Sequence, residues 1–228
     1  MDRVIAFVGP PGVGKTTITM QLGENEGCSV FRLREHVPQP ILAAASLHSD
    51  RVDWIDNLTV ARALGGYIQR ASADNSVHTV LLDNFPGSGF QVDLLLGVVR
   101  RRAPRCIVSA VELALDEQVR QARLGARKVC HACENDPVND PRLPAEPSGD
   151  DPWRCARCGG TLHPRRGDAP RLVDARSSRF EYEAPGLRRS FGANGIEILR
   201  LDASRASADL IAELSPLMTP GAITSDDH

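Results

Sequence analysis

The nine residues Gly9-Pro10-Pro11-Gly12-Val13-Gly14-Lys15-Thr16-Thr17 follow directly on an apolar run, Val4 to Val8. A buried strand, a glycine-rich turn and a helix opening on Lys-Thr admit very few folds, and the turn fits G-x-x-x-x-G-K-[ST] in the context that gives this pattern meaning. Gly9, Gly12 and Gly14 let the backbone turn sharply and bring N–H groups, with those of Val13 to Thr17, against phosphate oxygens. Lys15 supplies a point charge for the terminal phosphates, and the Thr16 hydroxyl suits Mg²⁺. The helix expected over Lys15–Gly23 turns its positive end to the same anion. The motif therefore predicts binding of a nucleoside triphosphate, ATP with Mg²⁺.

Four further apolar runs read as buried parallel strands: Ser29–Leu33, Thr79–Leu82, Cys106–Val111 and Ile196–Leu201. Helical patterns lie between and after them, near Asp56–Ser72, Phe90–Arg102, Leu115–Leu124, Val173–Gly192 and Ser204–Leu214. Alternating strands and helices predict an α/β fold, a doubly wound parallel sheet of five strands in the P-loop NTPase class. Ligands in such sheets bind beyond the carboxyl ends of the strands, where the loop, Asp83 and the turn after Val111 emerge. The core is expected in three pieces, residues 1–33, 76–124 and 169–215. Residues 34–75 are long for one crossover and read as a helical subdomain of two or three short helices. Residues 216–228 read as a disordered tail.

Residues 125–168 are rich in Pro, Gly, Asp and Cys and lack periodicity. A structureless loop of that length is improbable inside a compact domain unless something orders it. Cys130-His-Ala-Cys133 and Cys155-Ala-Arg-Cys158 form two C-x-x-C knuckles separated by 21 residues. Each knuckle presents two thiolates on one turn, and together they complete a tetrahedral S₄ set suited to Zn²⁺. Redox dithiols or reversible disulfides are the competing readings. Four sulfur ligands leave no open position, so the zinc is expected to be structural, with His131 and His163 surplus. Cys28 and Cys106 lie in apolar runs and read as buried small hydrophobes.

A net charge of −2 sets no basic field over the surface and argues against a general nucleic-acid role. Of the 27 basic residues only Lys15 and Lys128 are lysine, so a single arginine carries meaning only through its position. No apolar stretch approaches the ~20 residues of a membrane span. No charged-then-apolar leader precedes the first strand, and a cytoplasmic location is expected.

The P-loop at the start, the strand ending Leu81-Leu82-Asp83-Asn84-Phe85-Pro86 with Gln91 soon after, and the Cys₄ segment late in the chain together resemble adenylate kinase, the bacterial type with a zinc-containing lid. The resemblance runs from Val4 to about Asp202. It implies a lid over residues 125–168 that closes on ATP, with arginines surrounding the transferring phosphoryl group. Arg123-Leu-Gly-Ala-Arg127-Lys-Val resembles the family's R-x-x-G-R-R-V, with Ala126 at a family glycine. By that match Arg123 would stack on the adenine and Arg127 would contact phosphates. Arg165 and Arg176 resemble the arginines of R-x-D-D…V-x-x-R, with Asp168 from the acidic pair and Val173 at the matching valine. Such forks stabilise charge spread over the equatorial oxygens. Asp83 would hold Mg²⁺ through water.

The acceptor half departs from the family. Its T-G-D…R segment is absent, and residues 31–38 read Phe-Arg-Leu-Arg-Glu-His-Val-Pro. Gly87 stands where D-G-F-P-R carries its phosphate-binding arginine. Losing that fork weakens AMP binding unless Arg32, Arg34, Arg51 or Arg62 fills the gap. Thr16 also replaces the family's usual glycine after the lysine. The expected reaction is transfer of the ATP γ-phosphoryl to a nucleoside monophosphate by a monomer. The alternatives are a kinase of a non-nucleotide small molecule, for which Gly87, Ser88 and Gly89 would leave room, and an ATP-binding switch or slow ATPase.

Overall fold

A computed structural model describes residues 1–42, 55–134 and 140–218. Five parallel strands, β1 (Arg3–Val8), β2 (Cys28–Phe31), β3 (Thr79–Asp83), β4 (Ile107–Ala114) and β7 (Ile198–Asp202), form one sheet in the order β2-β3-β1-β4-β7. The chain reverses its direction of travel at β1, and the crevice this opens lies at the carboxyl ends of β1, β3 and β4. Their residues are mostly apolar because helices cover both faces of the sheet.

One face packs α2 (Asn57–Ala73), α3 (Gly89–Arg102) and α5 (Pro170–Ala193), through side chains such as Leu64, Ile68, Leu95, Val99, Leu187 and Phe191. The other packs α1 (Lys15–Gly23) and α6 (Ser207–Met218) through Ile18, Leu22, Leu210 and Leu214. Alternation along β1 divides the two cores: Val4, Ala6 and Val8 enter the first, Ile5 and Phe7 the second. Capping agrees with the expected starts, since Asp56 accepts from Thr59 N, Ser88 from Gln91 N, and Asp116 from Gln118 N and Val119 N at α4 (Glu117–Ala126). At the crossing of α3 and α5 a Cβ on Gly89 would stand 2.8 Å from the Gly186 carbonyl oxygen, so glycine there sets the interhelical distance.

Several boundaries move. β2 ends at Phe31, and Leu33–His36 form a 3₁₀ turn where the apolar run had suggested strand. β4 continues three residues past Val111, and β7 starts at Ile198. Among the described residues, 34–75 hold the 17-residue helix α2 and short helical turns before residue 43; residues 43–54, Arg51 among them, lie outside the described residues. α6 runs to Met218, so residues 216–218 are helical where a tail was expected, and 219–228 lie outside the described residues. Cys28 and Cys106 are partly exposed, not fully buried. No helix among the described residues is long and apolar enough to cross a membrane.

The lid segment is a small lobe built on a two-stranded antiparallel ribbon, β5 (Lys128–Val129) with β6 (His163–Pro164). Pro147 bridges to Cys155 and Arg154 to Thr161 in the same sense. Among the described residues its own hydrophobic cluster is Cys130, Cys155 and Leu162. Too little apolar surface is enclosed there to order the lobe without a cross-link.

Candidate active site

The glycine-rich turn lies at the carboxyl end of β1, closed in on two sides. A Cβ at Gly9 would sit 2.5 Å from the Leu113 carbonyl oxygen, and one at Gly12 would strike Leu124 of α4 at 2.6 Å. Only a bare backbone fits between β4 and α4. Lys15 leads into α1 and is buried, and its Nζ donates to the carbonyls of Gly9 (2.6 Å) and Pro10 (2.8 Å). Burial lowers its pKa from 10.5 to about 7; Asp83 opposes the shift, and the charges of Arg176, Arg127 and Arg120 reinforce it.

Asp83, the last residue of β3, lies level with the loop because β3 pairs with β1 in the register Phe7↔Asp83. Its Oδ1 accepts from Thr16 Oγ1 at 3.2 Å and its Oδ2 from Arg32 Nε at 3.0 Å. A hydroxyl and a carboxylate oxygen so close are hard oxygen donors of the kind Mg²⁺ takes together with substrate phosphates. Thr16 and Asp83 would hold it, and the ion would neutralise phosphate charge.

Arg127, Arg165 and Arg176 converge on Asp168, whose side chain is 4% exposed. Arg127 is bidentate to it, both contacts at 2.5 Å, Arg176 Nη2 is 3.5 Å away, and Arg165 Nη1 is 4.0 Å away. Arg176 also donates to the Gly167 and Leu172 carbonyls. Burial lowers the pKa of both Arg165 and Arg176, and Arg165 Nε is buried without a partner among the described residues. Three guanidinium groups thus share one carboxylate, an excess of positive charge that an anion would satisfy. Arg123 faces elsewhere: its Nη1 donates to Ala203 O, in the loop after β7, at 2.9 Å.

On the acceptor side Arg32 follows β2 and borders Asp83, since Phe31 is paired with Leu82. Arg34 and Arg62 are exposed. A Cβ on Gly87 would meet only Gln91 Oε1, at 3.4 Å, and that oxygen accepts from Gly87 N at 2.7 Å. Phe31 stacks on His36 (5.2 Å between centroids) and packs on Tyr67 and Phe85, an aromatic floor beside Arg32. Arg142 of the lid joins Glu134 (2.6 Å) to Glu35 (2.9 Å) and so ties the lid to the 3₁₀ turn after β2.

The four cysteine sulfurs lie within 4.8 Å of one another, and the nearest pairs are 3.3, 3.5 and 3.7 Å apart. All four thiols are free. A Zn²⁺ ion with Zn–S bonds of 2.3 Å requires edges of about 3.8 Å in a tetrahedron, whereas a disulfide requires about 2.05 Å. The sulfur set fits zinc, which would staple the lobe.

Arg120, a buried cation beside the loop, was not singled out by the sequence. Arg120, 3% exposed, donates from Nη1 to the Pro11 carbonyl at 2.9 Å and forks onto Glu117 at 2.8 and 2.6 Å. The signal available was a cation in the first turn of a helix, three residues after a glutamate, where the dipole disfavours it.

No protein-family model matches the chain. It is 30% identical over 171 residues to the adenylate kinase of Desulfatibacillum aliphaticivorans, covering 72% of each chain. Against the adenylate kinase of Desulfosudis oleivorans it is 27% identical over 226 residues, 92% of this chain and 97% of the relative. The adenylate kinase of Pyrococcus abyssi is 22% identical over 94% of each chain. A P-loop sheet, a lid segment with four clustered cysteines and this likeness along almost the whole length agree: the chain is a nucleotide phosphotransferase and belongs to the adenylate kinase family.

Proposed function

We propose that the chain transfers the γ-phosphoryl group of MgATP to a nucleoside monophosphate, and that Arg32 takes the place of the phosphate-binding arginine missing at Gly87. The observation that carries the acceptor reading is the Arg32 guanidinium. Its side chain is 15% exposed, its Nε is held by Asp83, and its Nη2 is buried with no partner among the described residues. A buried donor left unused is costly, and a phosphate oxygen would satisfy it. Arg32 therefore stands ready beside the carboxylate assigned to Mg²⁺, between donor and acceptor.

Catalysis in this reading is positioning and electrostatics. The loop N–H groups and Lys15 bind the ATP phosphates, and Lys15 gives up two backbone carbonyls for them. Arg127, Arg165 and Arg176 spread positive charge around the transferring group once lid closure excludes water. By the family resemblance Arg123 would stack on the adenine, its Nη1 donating to Ala203 O in the loop after β7. The acceptor oxygen attacks the γ-phosphorus in line, the bond to the β-phosphate oxygen breaks, and no covalent enzyme intermediate forms.

The test is ADP release from MgATP with AMP, CMP, GMP, UMP or dTMP, beside a control without acceptor. One monophosphate should support turnover. Arg32→Ala should raise the KM for that monophosphate on the order of tenfold to a hundredfold, the value of one or two charged hydrogen bonds, with the KM for ATP little changed. Turnover with none of the five would refute the reading. The space at Gly87 would then favour a smaller, non-nucleotide acceptor.

A further inference from the structure

The carbonyl groups of residues 9, 10 and 11 are all held by cations. Lys15 takes those of Gly9 and Pro10, and Arg120 takes that of Pro11. The two clamps differ in what happens when a nucleotide arrives. Lys15 must leave its carbonyls to reach phosphate, whereas Arg120 is anchored behind the loop. Its Nε and Nη2 are committed to Glu117, and Leu124 one turn further along α4 packs where a Gly12 side chain would be. Arg120 and Leu124, four residues apart on one helix face, thus press on two consecutive residues of the loop.

A trans peptide is planar, so its C=O and N–H point in opposite directions. Fixing the Pro11 carbonyl toward α4 fixes the Gly12 N–H away from it. Pro10 and Pro11 have no N–H of their own, so Gly12 supplies the first backbone donor after Gly9 in the turn. Placing a buried cation in the first turn of α4 works against the helix dipole, and the Glu117 fork offsets that cost. The same helix carries Arg123, bonded beyond β7, and leads into Arg127 on Asp168. An arrangement confined to helix packing would not need a guanidinium on a loop carbonyl.

We infer that Arg120 is a positioning residue of the phosphate-binding loop: by holding the Pro11 carbonyl it aims the Gly12 N–H at the nucleotide phosphates and keeps the loop in register with the arginine-bearing helix α4. It acts through the loop and touches no substrate. This inference needs ATP binding only, so it stands or falls independently of the acceptor.

The experiment is MgATP binding by calorimetry, with no acceptor present, for the wild type, Arg120→Met and Glu117→Gln. Arg120→Met should weaken binding at least tenfold and raise the KM for ATP far more than it changes kcat. Its Gly12 amide resonance should also shift in the nucleotide-free protein. Glu117→Gln keeps the guanidinium but loosens its anchor, and Glu117 is itself exposed, so the fold should persist while binding weakens severalfold. A dissociation constant for Arg120→Met within twofold of wild type, with only the melting temperature lowered, would reduce Arg120 to helix packing and overturn the inference. Should Arg120→Met not fold, unchanged binding in Glu117→Gln would overturn it equally.

Discussion

Lys15 makes a pH-dependent prediction that the fold itself imposes. Burial lowers its pKa from 10.5 to about 7, against the opposing pull of Asp83. At pH 8 a group titrating near 7 is charged in roughly one molecule in ten, while at pH 6 it is almost fully charged. The phosphates of MgATP favour the charged form and pull its pKa back up, so binding must be linked to proton uptake. The expected uptake approaches one proton per chain at pH 8 and is near zero at pH 6. The apparent dissociation constant should rise about tenfold between those two values, since one pKa unit is roughly 1.4 kcal/mol. Calorimetry in buffers of differing ionisation enthalpy reads the protons directly, and at pH 8 the terminal phosphate is already deprotonated. Lys15→Met should bind weakly with no linked proton. The same group makes folding stability rise with pH between about 7 and 10.5, because only the unfolded chain keeps the lysine proton in that window. Zero uptake at pH 8 together with a flat dissociation constant would refute the argument, and with it the view that the loop desolvates its lysine before the nucleotide arrives.

Two further perturbations test the lid and the core. Zinc content should be one ion per chain, and Cys130→Ser should release it and open residues 125–168 to proteolysis while the sheet still melts cooperatively; unchanged metal content would rule out the ligand set. Arg188→Ala should cost about 3 kcal/mol in urea unfolding, because it strands the buried Glu112 carboxylate, now held by two contacts at 2.6 and 2.9 Å. A loss under about 1 kcal/mol would mean that water reaches Glu112 without the arginine.

The sequence was most legible where local chemistry and backbone geometry coincide. Val4 to Val8 with the loop after them dictated a buried strand, a turn only glycine can make and a helix, because each step is decided within a few residues. C-x-x-C pairs are likewise local, each confined to one turn, and their sulfurs do lie together. Element ends were less legible: Leu33 sits in the apolar run, yet the ladder between β2 and β3 ends at Phe31↔Leu82 and the chain turns into a 3₁₀ helix from Leu33. What no local pattern contained was the pairing of charges distant along the chain. Arg32 meets Asp83 across 51 residues, Arg120 meets Pro11 across 109, and Arg142 meets Glu35 across 107. By itself the sequence determined the P-loop, the parallel sheet, the cysteine quartet and the gap at Gly87. Only the tertiary structure decided which of the 25 arginines gather on Asp168, which stands beside Asp83 and which lies beneath the loop. The physical reason is that an exposed arginine costs a chain almost nothing anywhere, so its type carries little information until burial forces it to find a partner.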